Sequence, residues 1–168
     1  MEIKKILQNT SNFIAKRLIE LFGIFILVLS VMLFISLLSY SPEDPNFIFP
    51  ENTEINNILG FRGSIISDLF FQSIGLISIL VSITFIFTGF NIIKAKKIIF
   101  ILQNPFYLIL YVVLGTLFFS VYHPESFWLT INGNGGFVGK QISETFLGSL
   151  VNLNKHFSYY LLIITIGI

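Results

Sequence analysis

Three long apolar stretches without a charged residue constrain this chain more than any other feature. They cover 21–40, 69–90 and 101–122, and none contains Asp, Glu, Lys, Arg or His. A hydrocarbon core about 30 Å thick is crossed by about 20 helical residues, so each stretch predicts a transmembrane helix. A fourth apolar stretch, 157–168, is too short to cross alone and predicts an incomplete fourth span, as expected of a fragment.

The composition supports lipid as the solvent of this chain. Hydrophobic residues make up 54% and charged residues 11% of the sequence, whereas a soluble domain has about 25% charged residues. A soluble domain of this size that contained 20 Phe would expose large apolar patches. The sequence therefore predicts an all-α, polytopic transmembrane helical bundle, with a cytoplasmic segment over 1–20 and a four-span membrane anchor domain over 21–168.

The first stretch has the basic flank of a signal peptide but is too long to be one. The apolar part of a cleaved signal peptide has about 7–15 residues, and this stretch covers 21–40. A retained signal anchor is therefore favoured over cleavage near Ser39, Tyr40 and Ser41.

Basic residues lie mainly on one side of the predicted bundle. Those that precede the first span or lie between the second and third are Lys4, Lys5, Lys16, Arg17, Lys94, Lys96 and Lys97. Cytoplasmic loops carry the excess of Lys and Arg. We therefore predict a cytoplasmic N-terminus and two outer loops. One joins the first span to the second, and the other joins the third span to the fourth.

The predicted spans offer little for transport. Ionisable side chains inside a membrane usually mark ion or proton pathways, and the three complete stretches have none. Gly75, Ser78, Ser82 and Gly89 share one helical face, and small residues let helices approach closely. This face predicts packing within the bundle, with an oligomerisation face as the alternative.

The first outer loop contains two groups of candidate motif residues. The first group is Ser39, Tyr40, Pro42, Asp44 and Pro45, and the second is Asn57, Gly60, Gly63 and Asp68. Proline ends a helix because it lacks the backbone N–H, and glycine permits left-handed or closely approached backbone. Ser67 and Asp68 are candidate N-caps for the second transmembrane helix.

The second outer loop is rich in glycine. Its candidate residues are Asn132, Gly133, Gly135, Gly136 and Gly139. A phosphate-binding loop would need Gly at Asn134 and Ser or Thr at Gln141, so nucleotide binding is disfavoured. The amphipathic stretch 137–153 that follows predicts an interfacial or re-entrant helix.

The sequence predicts no catalytic, cofactor-binding or metal-ligating residue. There is no Cys, and His123 and His156 have no partner at a metal-ligand spacing. The formal net charge of +1 does not indicate the clustered basic face that DNA binding requires. We therefore expect this segment to be neither an enzyme nor a DNA-binding domain.

The order and spacing of the loop motifs add a family resemblance. The motifs over 39–45, 57–68 and 132–139, each placed after or before a predicted span, make residues 15–168 resemble the N-terminal four-span membrane domain of bacterial FtsK-type DNA translocases. This resemblance implies a multi-pass inner-membrane protein at the division septum that anchors a DNA translocase during cell division and chromosome segregation.

The resemblance also implies partners and cofactors that lie outside this segment. Other septal membrane proteins would contact the four-span domain, and the motor would assemble the homo-oligomer. ATP and Mg²⁺ would be needed only by that motor, which has no counterpart here. The alternatives are a small membrane transporter or channel subunit, and a membrane scaffold that shares only the loop pattern.

Overall fold

Helices form all of the secondary structure in the computed structural model, which describes residues 2–45, 54–97 and 99–167. The described helices are α1 (Glu2–Leu38), α2 (Gly60–Ile74), α3 (Ile77–Ala95), α4 (Ile99–Tyr122), α5 (Gly136–Ser143), α6 (Phe146–Leu153) and α7 (Lys155–Gly167). The prediction of an all-α fold is confirmed for these ranges.

Two helices are long and apolar enough to cross a membrane. They are the part of α1 over Leu7–Leu38 and the whole of α3, while Phe106–Tyr122 of α4 is a shorter apolar helix. The 37 residues of α1 extend for about 55 Å at a rise of 1.5 Å per residue, so α1 also includes most of the predicted cytoplasmic segment. The count of four spans stays a prediction.

The predicted span over 69–90 is not one helix. Within it α2 ends at Ile74, α3 begins at Ile77, and Gly75 adopts φ 61° and ψ −146°. This is a conformation that residues with a Cβ atom rarely adopt. An apolar stretch indicates that its residues are buried in lipid or protein, but it does not indicate that they form one uninterrupted helix. Gly75, within this stretch, allows the break.

The prediction that Ser67 or Asp68 caps this helix is also wrong. The helix begins at Gly60, after Leu59, whose apolar side chain cannot accept a capping hydrogen bond. Ser67 and Asp68 therefore lie in the interior of α2, where the Ser67 hydroxyl donates to the carbonyl oxygen of Gly63 at 2.9 Å.

The helices α1 and α3 run antiparallel in close contact. A Cβ atom at Gly89 of α3 would lie 2.9 Å from the backbone nitrogen of Leu27 and 3.0 Å from the carbonyl oxygen of Gly23, both in α1. Ser78 and Ser82, on the same side of α3, are fully buried. The small face of α3 therefore packs inside the chain, as the favoured interpretation predicted.

The last helix, α7, packs against α4. Leu117 and Phe118 of α4 form a buried cluster with Val151 of α6 and Leu162 of α7. At one edge of this cluster the hydroxyl of Tyr122 donates to the carbonyl oxygen of Lys155 at 2.8 Å. The start of α7 therefore lies beside the end of α4. The second outer loop reaches the end of the helices where the first one lies, because Leu129 packs in a buried cluster with Leu37 of α1 and Phe71 of α2.

The opposite end of the helices is marked by an ion pair. Lys96, directly after α3, places its Nζ 2.7 Å from a carboxylate oxygen of Glu20 in α1, and the guanidinium of Arg17 contacts the other carboxylate oxygen. Arg17 and Lys96, two of the basic residues that set the predicted orientation, thus lie at the end opposite the two outer loops.

Candidate functional site

The motif residues of the first outer loop close that loop around one buried carboxylate. Asp44 is 3% exposed. Its Oδ1 accepts the backbone N–H of Asn56 at 2.8 Å, and its Oδ2 accepts that of Asn57 at 2.9 Å. Hydrogen bonds to a charged acceptor are stronger than neutral ones, so Asp44 fixes the two ends of the loop against each other.

Asn57 connects this loop to the end of α1. Its side-chain nitrogen donates to the carbonyl oxygen of Ser36 at 2.9 Å, and its Oδ1 accepts the N–H of Leu59 at 3.1 Å. The Ser39 hydroxyl oxygen accepts the N–H of Ile58 at 3.1 Å. The carbonyl oxygen of Ser36, in the last turn of α1, thereby gains a partner outside the helix.

Gly63 makes this contact between α1 and α2 possible. A Cβ atom there would lie 2.2 Å from Oδ1 of Asn57. The Gly63 carbonyl oxygen accepts the Ser36 hydroxyl at 2.6 Å, and the Ser64 hydroxyl donates to the carbonyl oxygen of Pro45 at 2.7 Å. Pro42 lies in the exposed turn that precedes Asp44. Five of the nine first-loop candidates therefore meet near the α1–α2 contact, namely Ser39, Asp44, Pro45, Asn57 and Gly63. Gly60 continues the turn after Asn57, and its N–H donates to the carbonyl oxygen of Asn57 at 2.8 Å.

A chain of polar side chains joins the two outer loops. The Tyr40 hydroxyl donates to Oδ1 of Asp68 at 3.2 Å, and Nε2 of Gln72 donates to the same oxygen at 3.4 Å. Gln72 in turn accepts a hydrogen bond at its Oε1 from Nδ2 of Asn132 at 3.2 Å. Residues from both predicted motifs of the first loop and from the glycine loop are thus in one network.

The glycine loop replaces the helical hydrogen bond that the break at Gly75 removes. In a continuous helix the N–H of Leu76 would bond to the carbonyl oxygen of Gln72. Instead, Leu76 donates to the carbonyl oxygen of Asn134 at 3.0 Å, and Nδ2 of Asn132 donates to the carbonyl oxygen of Gln72 at 3.2 Å. Both released backbone groups are therefore paired with the second outer loop.

The glycines are required by this close approach. Gly133 and Gly136 have φ of 68° and 65°. A Cβ atom at Gly136 would lie 2.5 Å from the backbone nitrogen of Gly75, and Cβ atoms at Gly135 and Gly139 would lie 2.6 and 2.4 Å from the carbonyl oxygen of Thr116 in α4. The loop and the start of α5 fit between the α2–α3 break and α4. We call this assembly of both loops around residues 36–45, 56–76 and 123–139 the outer-loop junction.

The amphipathic stretch after the glycine loop forms two short helices instead of the one predicted. The first, α5, ends at Ser143, and Thr145 is extended with ψ −177° before α6 begins. The chain turns sharply here and brings Gly148 close to the end of α5. A Cβ atom at Gly148 would lie 1.8 Å from the carbonyl oxygen of Ser143. Whether either helix is interfacial or re-entrant stays a prediction.

The junction is a structural network of hydrogen bonds. Its hydrogen bonds join backbone groups to hydroxyl, amide and carboxylate side chains. Among the described residues no group of three or more His, Cys, Asp or Glu is placed to hold a metal ion. His123 lies 5.7 Å from the ring of Phe118. An open concavity of about 570 Å³ beside the junction has Ser120, Glu125 and Lys140 among its lining residues.

Sequence analysis missed several partners of the motif residues. Ser36, Ser64, Thr116 and Ser120 contact motif residues directly, yet they lie in helices and follow no spacing that marks them as special. Hydroxyl-bearing residues at the ends of apolar stretches are the signal that could have indicated them, because such groups need partners when buried.

The comparison with protein families agrees with the arrangement of the motifs. The model of the 4TM region of DNA translocase FtsK/SpoIIIE matches residues 15–168. No curated protein and no solved structure matches the chain. The match covers nearly the whole sequence, including both outer loops, and describes only a membrane region. The chain therefore belongs to the family of FtsK/SpoIIIE 4TM regions.

Proposed function

We propose that this chain is the membrane anchor and septum-targeting domain of a DNA translocase that acts in cell division and chromosome segregation. The observation that carries the proposal is the outer-loop junction, in which both loops are fixed by hydrogen bonds at one end of the helices. A loop that is fixed on the membrane offers a partner a surface with little ordering cost. The first outer loop within the junction is the surface through which other septal membrane proteins would recognise the domain.

The proposed location is the inner membrane of a bacterium, with four spans and a cytoplasmic N-terminus. This orientation is supported by the positions of Arg17, Lys94, Lys96 and Lys97 at the end opposite the junction. A motor attached to this anchor would then act in the cytoplasm, where ATP and Mg²⁺ are present. The short α5 beside α4 would be re-entrant, because its contact at Thr116 lies about 9 Å along α4 from Tyr122 at a rise of 1.5 Å per residue.

We propose further that the segment itself binds neither ATP nor DNA and that its oligomer forms through the motor. Non-specific DNA binding needs several phosphates to be neutralised together. The densest basic cluster, Lys94, Lys96 and Lys97, lies next to the membrane surface, where each lysine gains about 1 kcal/mol from anionic lipid. The purified chain should therefore retain no DNA at any salt concentration.

The orientation can be tested with single cysteines, because the chain has none of its own. In intact spheroplasts a membrane-impermeant maleimide should label a Glu43→Cys variant and should label a Lys97→Cys variant only after the membrane is opened. If intact spheroplasts were labelled at Lys97→Cys and not at Glu43→Cys, the proposed orientation would be wrong.

Septal targeting can be tested with a fluorescent fusion of the chain in dividing bacteria. The fusion should be enriched at midcell, and an Asp44→Asn variant should lose this enrichment because the first loop loses one of its two carboxylate acceptors. Glu43→Gln, the exposed neighbour, is the matched control and should localise normally. A fusion that is evenly distributed in the membrane would contradict septal targeting while leaving the membrane anchor in place.

A further inference from the structure

Two aromatic side chains of the second outer loop face away from the protein while their neighbour is buried. Phe127 is 92% exposed and Trp128 is 57% exposed, whereas Leu129 is 1% exposed. Ile131, two residues further on, is also exposed. The described part of the chain therefore leaves a compact apolar group at the tip of this loop without a protein covering.

The conformation of the loop fixes this exposure. The Ser126 hydroxyl oxygen accepts the backbone N–H groups of Trp128 and Leu129 at 3.2 and 3.0 Å. Below the tip, the N–H of Asn134 donates to the carbonyl oxygen of Pro124 at 3.2 Å. One hydrogen bond closes the turn at its base, and the Ser126 hydroxyl holds its tip. This backbone conformation keeps the two aromatic rings on the outside.

The depth of the loop relative to the helices follows from Leu129. This side chain packs in a buried cluster with Leu37 of α1 and Phe71 of α2, and both of those residues belong to apolar stretches that predict spans. Consecutive Cα atoms are about 3.8 Å apart, so the Cα atoms of Phe127 and Trp128 lie within about 8 Å of that level. The tip is therefore at the outer boundary of the bundle and does not project far beyond it.

We propose that Phe127, Trp128 and Ile131 form an interfacial anchor that inserts into the outer leaflet at the boundary of headgroups and acyl chains. Aromatic rings are enriched at this level because they bury an apolar body while Trp keeps its N–H near polar groups. The partner is lipid. The proposal requires only that the chain spans a membrane, so it does not depend on septal targeting.

The surroundings of the loop favour lipid over a protein partner. The tip from Ser126 to Ile131 has no charged residue, and Glu125 and Lys140 line the concavity beside it. Aromatic rings at the acyl boundary with charged side chains at the headgroup level are the usual arrangement of an interfacial segment. Phe146 and Leu153 of α6 and Phe157 of α7 are exposed as well.

The test uses the fluorescence of Trp128, which is the only tryptophan of the chain. The protein is reconstituted in vesicles of phosphatidylethanolamine and phosphatidylglycerol, some of which carry lipid brominated at different depths. We expect blue-shifted emission, strong quenching by shallow bromines, weak quenching by deep bromines and weak quenching by aqueous iodide. These results would place the ring about 5–10 Å into the interface.

In a matched control the tryptophan is placed at a position that is exposed to water. The double variant Trp128→Phe, Glu43→Trp carries its reporter in the exposed turn of the first loop, and its emission should be red-shifted and readily quenched by iodide. Phe127→Ser should increase iodide quenching of Trp128 while the protein elutes as the parent does on gel filtration. Iodide quenching of Trp128 as strong as that of the control reporter, without quenching by bromolipid, would overturn the proposal and favour a protein partner.

Discussion

The backbone N–H of Leu76 donates to the carbonyl oxygen of Asn134 across 3.0 Å, between residues that are far apart in sequence. A backbone N–H that is released inside a membrane costs several kcal/mol if it finds no acceptor. Here a loop between two other helices supplies that acceptor. The break between α2 and α3 and the shape of the second outer loop therefore depend on each other, and neither is expected to persist alone.

The first prediction concerns the glycine at this break. Gly75→Ala should lower the free energy of unfolding by more than the roughly 1–3 kcal/mol of a sparsely populated backbone conformation, because the new Cβ atom would also lie 1.9 Å from the carbonyl oxygen of Asn134. The measurement is an unfolding titration with SDS in mixed micelles.

Two other glycines are the controls for this prediction. Gly60 has φ of 65°, and among the described residues nothing lies within 4 Å of a Cβ atom built there. Gly60→Ala should therefore cost only the backbone strain, about 1–2 kcal/mol. At Gly167 a Cβ atom would also meet no described atom within 4 Å, and φ is not positive. Gly167→Ala should therefore cost neither the close contact nor the backbone strain. Equal losses for Gly75→Ala and Gly60→Ala would contradict the proposed link between loop and break.

The length and apolar character of α1 and α3, the two described helices that are long and apolar enough to cross a membrane, could be predicted from sequence because they depend on composition summed over about 20 residues. The break at Gly75 could not. Its flanks are apolar on both sides, and the groups that stabilise it, Asn132 and Asn134, lie about sixty residues further along the chain. Local patterns carry no information about such a distant partner.

The junction shows the same division between local and distant information. Proline, glycine and aspartate at fixed spacings indicated which residues of the first loop are special, because those residue types restrict or release the backbone. The prediction that Asp68 is a helix cap was wrong because α2 begins eight residues earlier, at Gly60. The actual partners of Asp68 are Gln72, one helical turn further on, and Tyr40, which only the folded chain brings near it.

The second prediction concerns the close contact of α1 and α3 at Gly89. Gly89→Ala places a Cβ atom 2.9 Å from the backbone nitrogen of Leu27 and 3.0 Å from the carbonyl oxygen of Gly23. Backbone cannot move without separating the helices, so the variant should lose about 1–3 kcal/mol of unfolding free energy.

Gly115→Ala is the matched control for Gly89→Ala. A Cβ atom at Gly115 would also be crowded, at 2.3 Å from Cδ1 of Ile77, but the obstacle is the end of a side chain. The crowding atoms belong to a side chain, so a small shift of Ile77 relieves them without separating two helices, and alanine favours the helix by about 1 kcal/mol over glycine. The loss in the same SDS titration should be smaller than for Gly89→Ala, and the opposite order would refute the backbone contact as the cause.

The third prediction concerns the polar chain between the two loops. Tyr40→Phe removes the hydroxyl that donates to Asp68 at 3.2 Å, and the loss of one such hydrogen bond should cost about 1 kcal/mol. Tyr107→Phe removes the hydroxyl of a side chain that is 67% exposed and should have little effect. The two variants are compared by the same SDS titration, and equal stabilities would remove Tyr40 from the network.

The fourth prediction concerns pH and the ion pair at the opposite end of the helices. The hydrogen bond from Lys96, and after it the one from Arg17, lowers the pKa of Glu20 below its ordinary value. A carboxyl group whose pKa is lowered by folding stabilises the folded state above its unfolded pKa. The contribution is lost as the pH falls through the lowered value. The effect of Glu20→Gln should therefore be present at neutral pH and absent in acid.

The measurement is the midpoint of thermal denaturation of parent and variant in detergent, at neutral pH and well below about 4.3, the ordinary pKa of Glu. Glu20→Gln should denature at a lower temperature than the parent at neutral pH, and the two should converge in acid. Added salt should reduce the difference at neutral pH because Glu20 and Lys96 are partly exposed. Glu43→Gln, in the exposed turn of the first outer loop, should have the same denaturation midpoint as the parent at both pH values. A difference for Glu20→Gln that persists in acid would mean that the side chain stabilises the helix contact by packing and not by its charge.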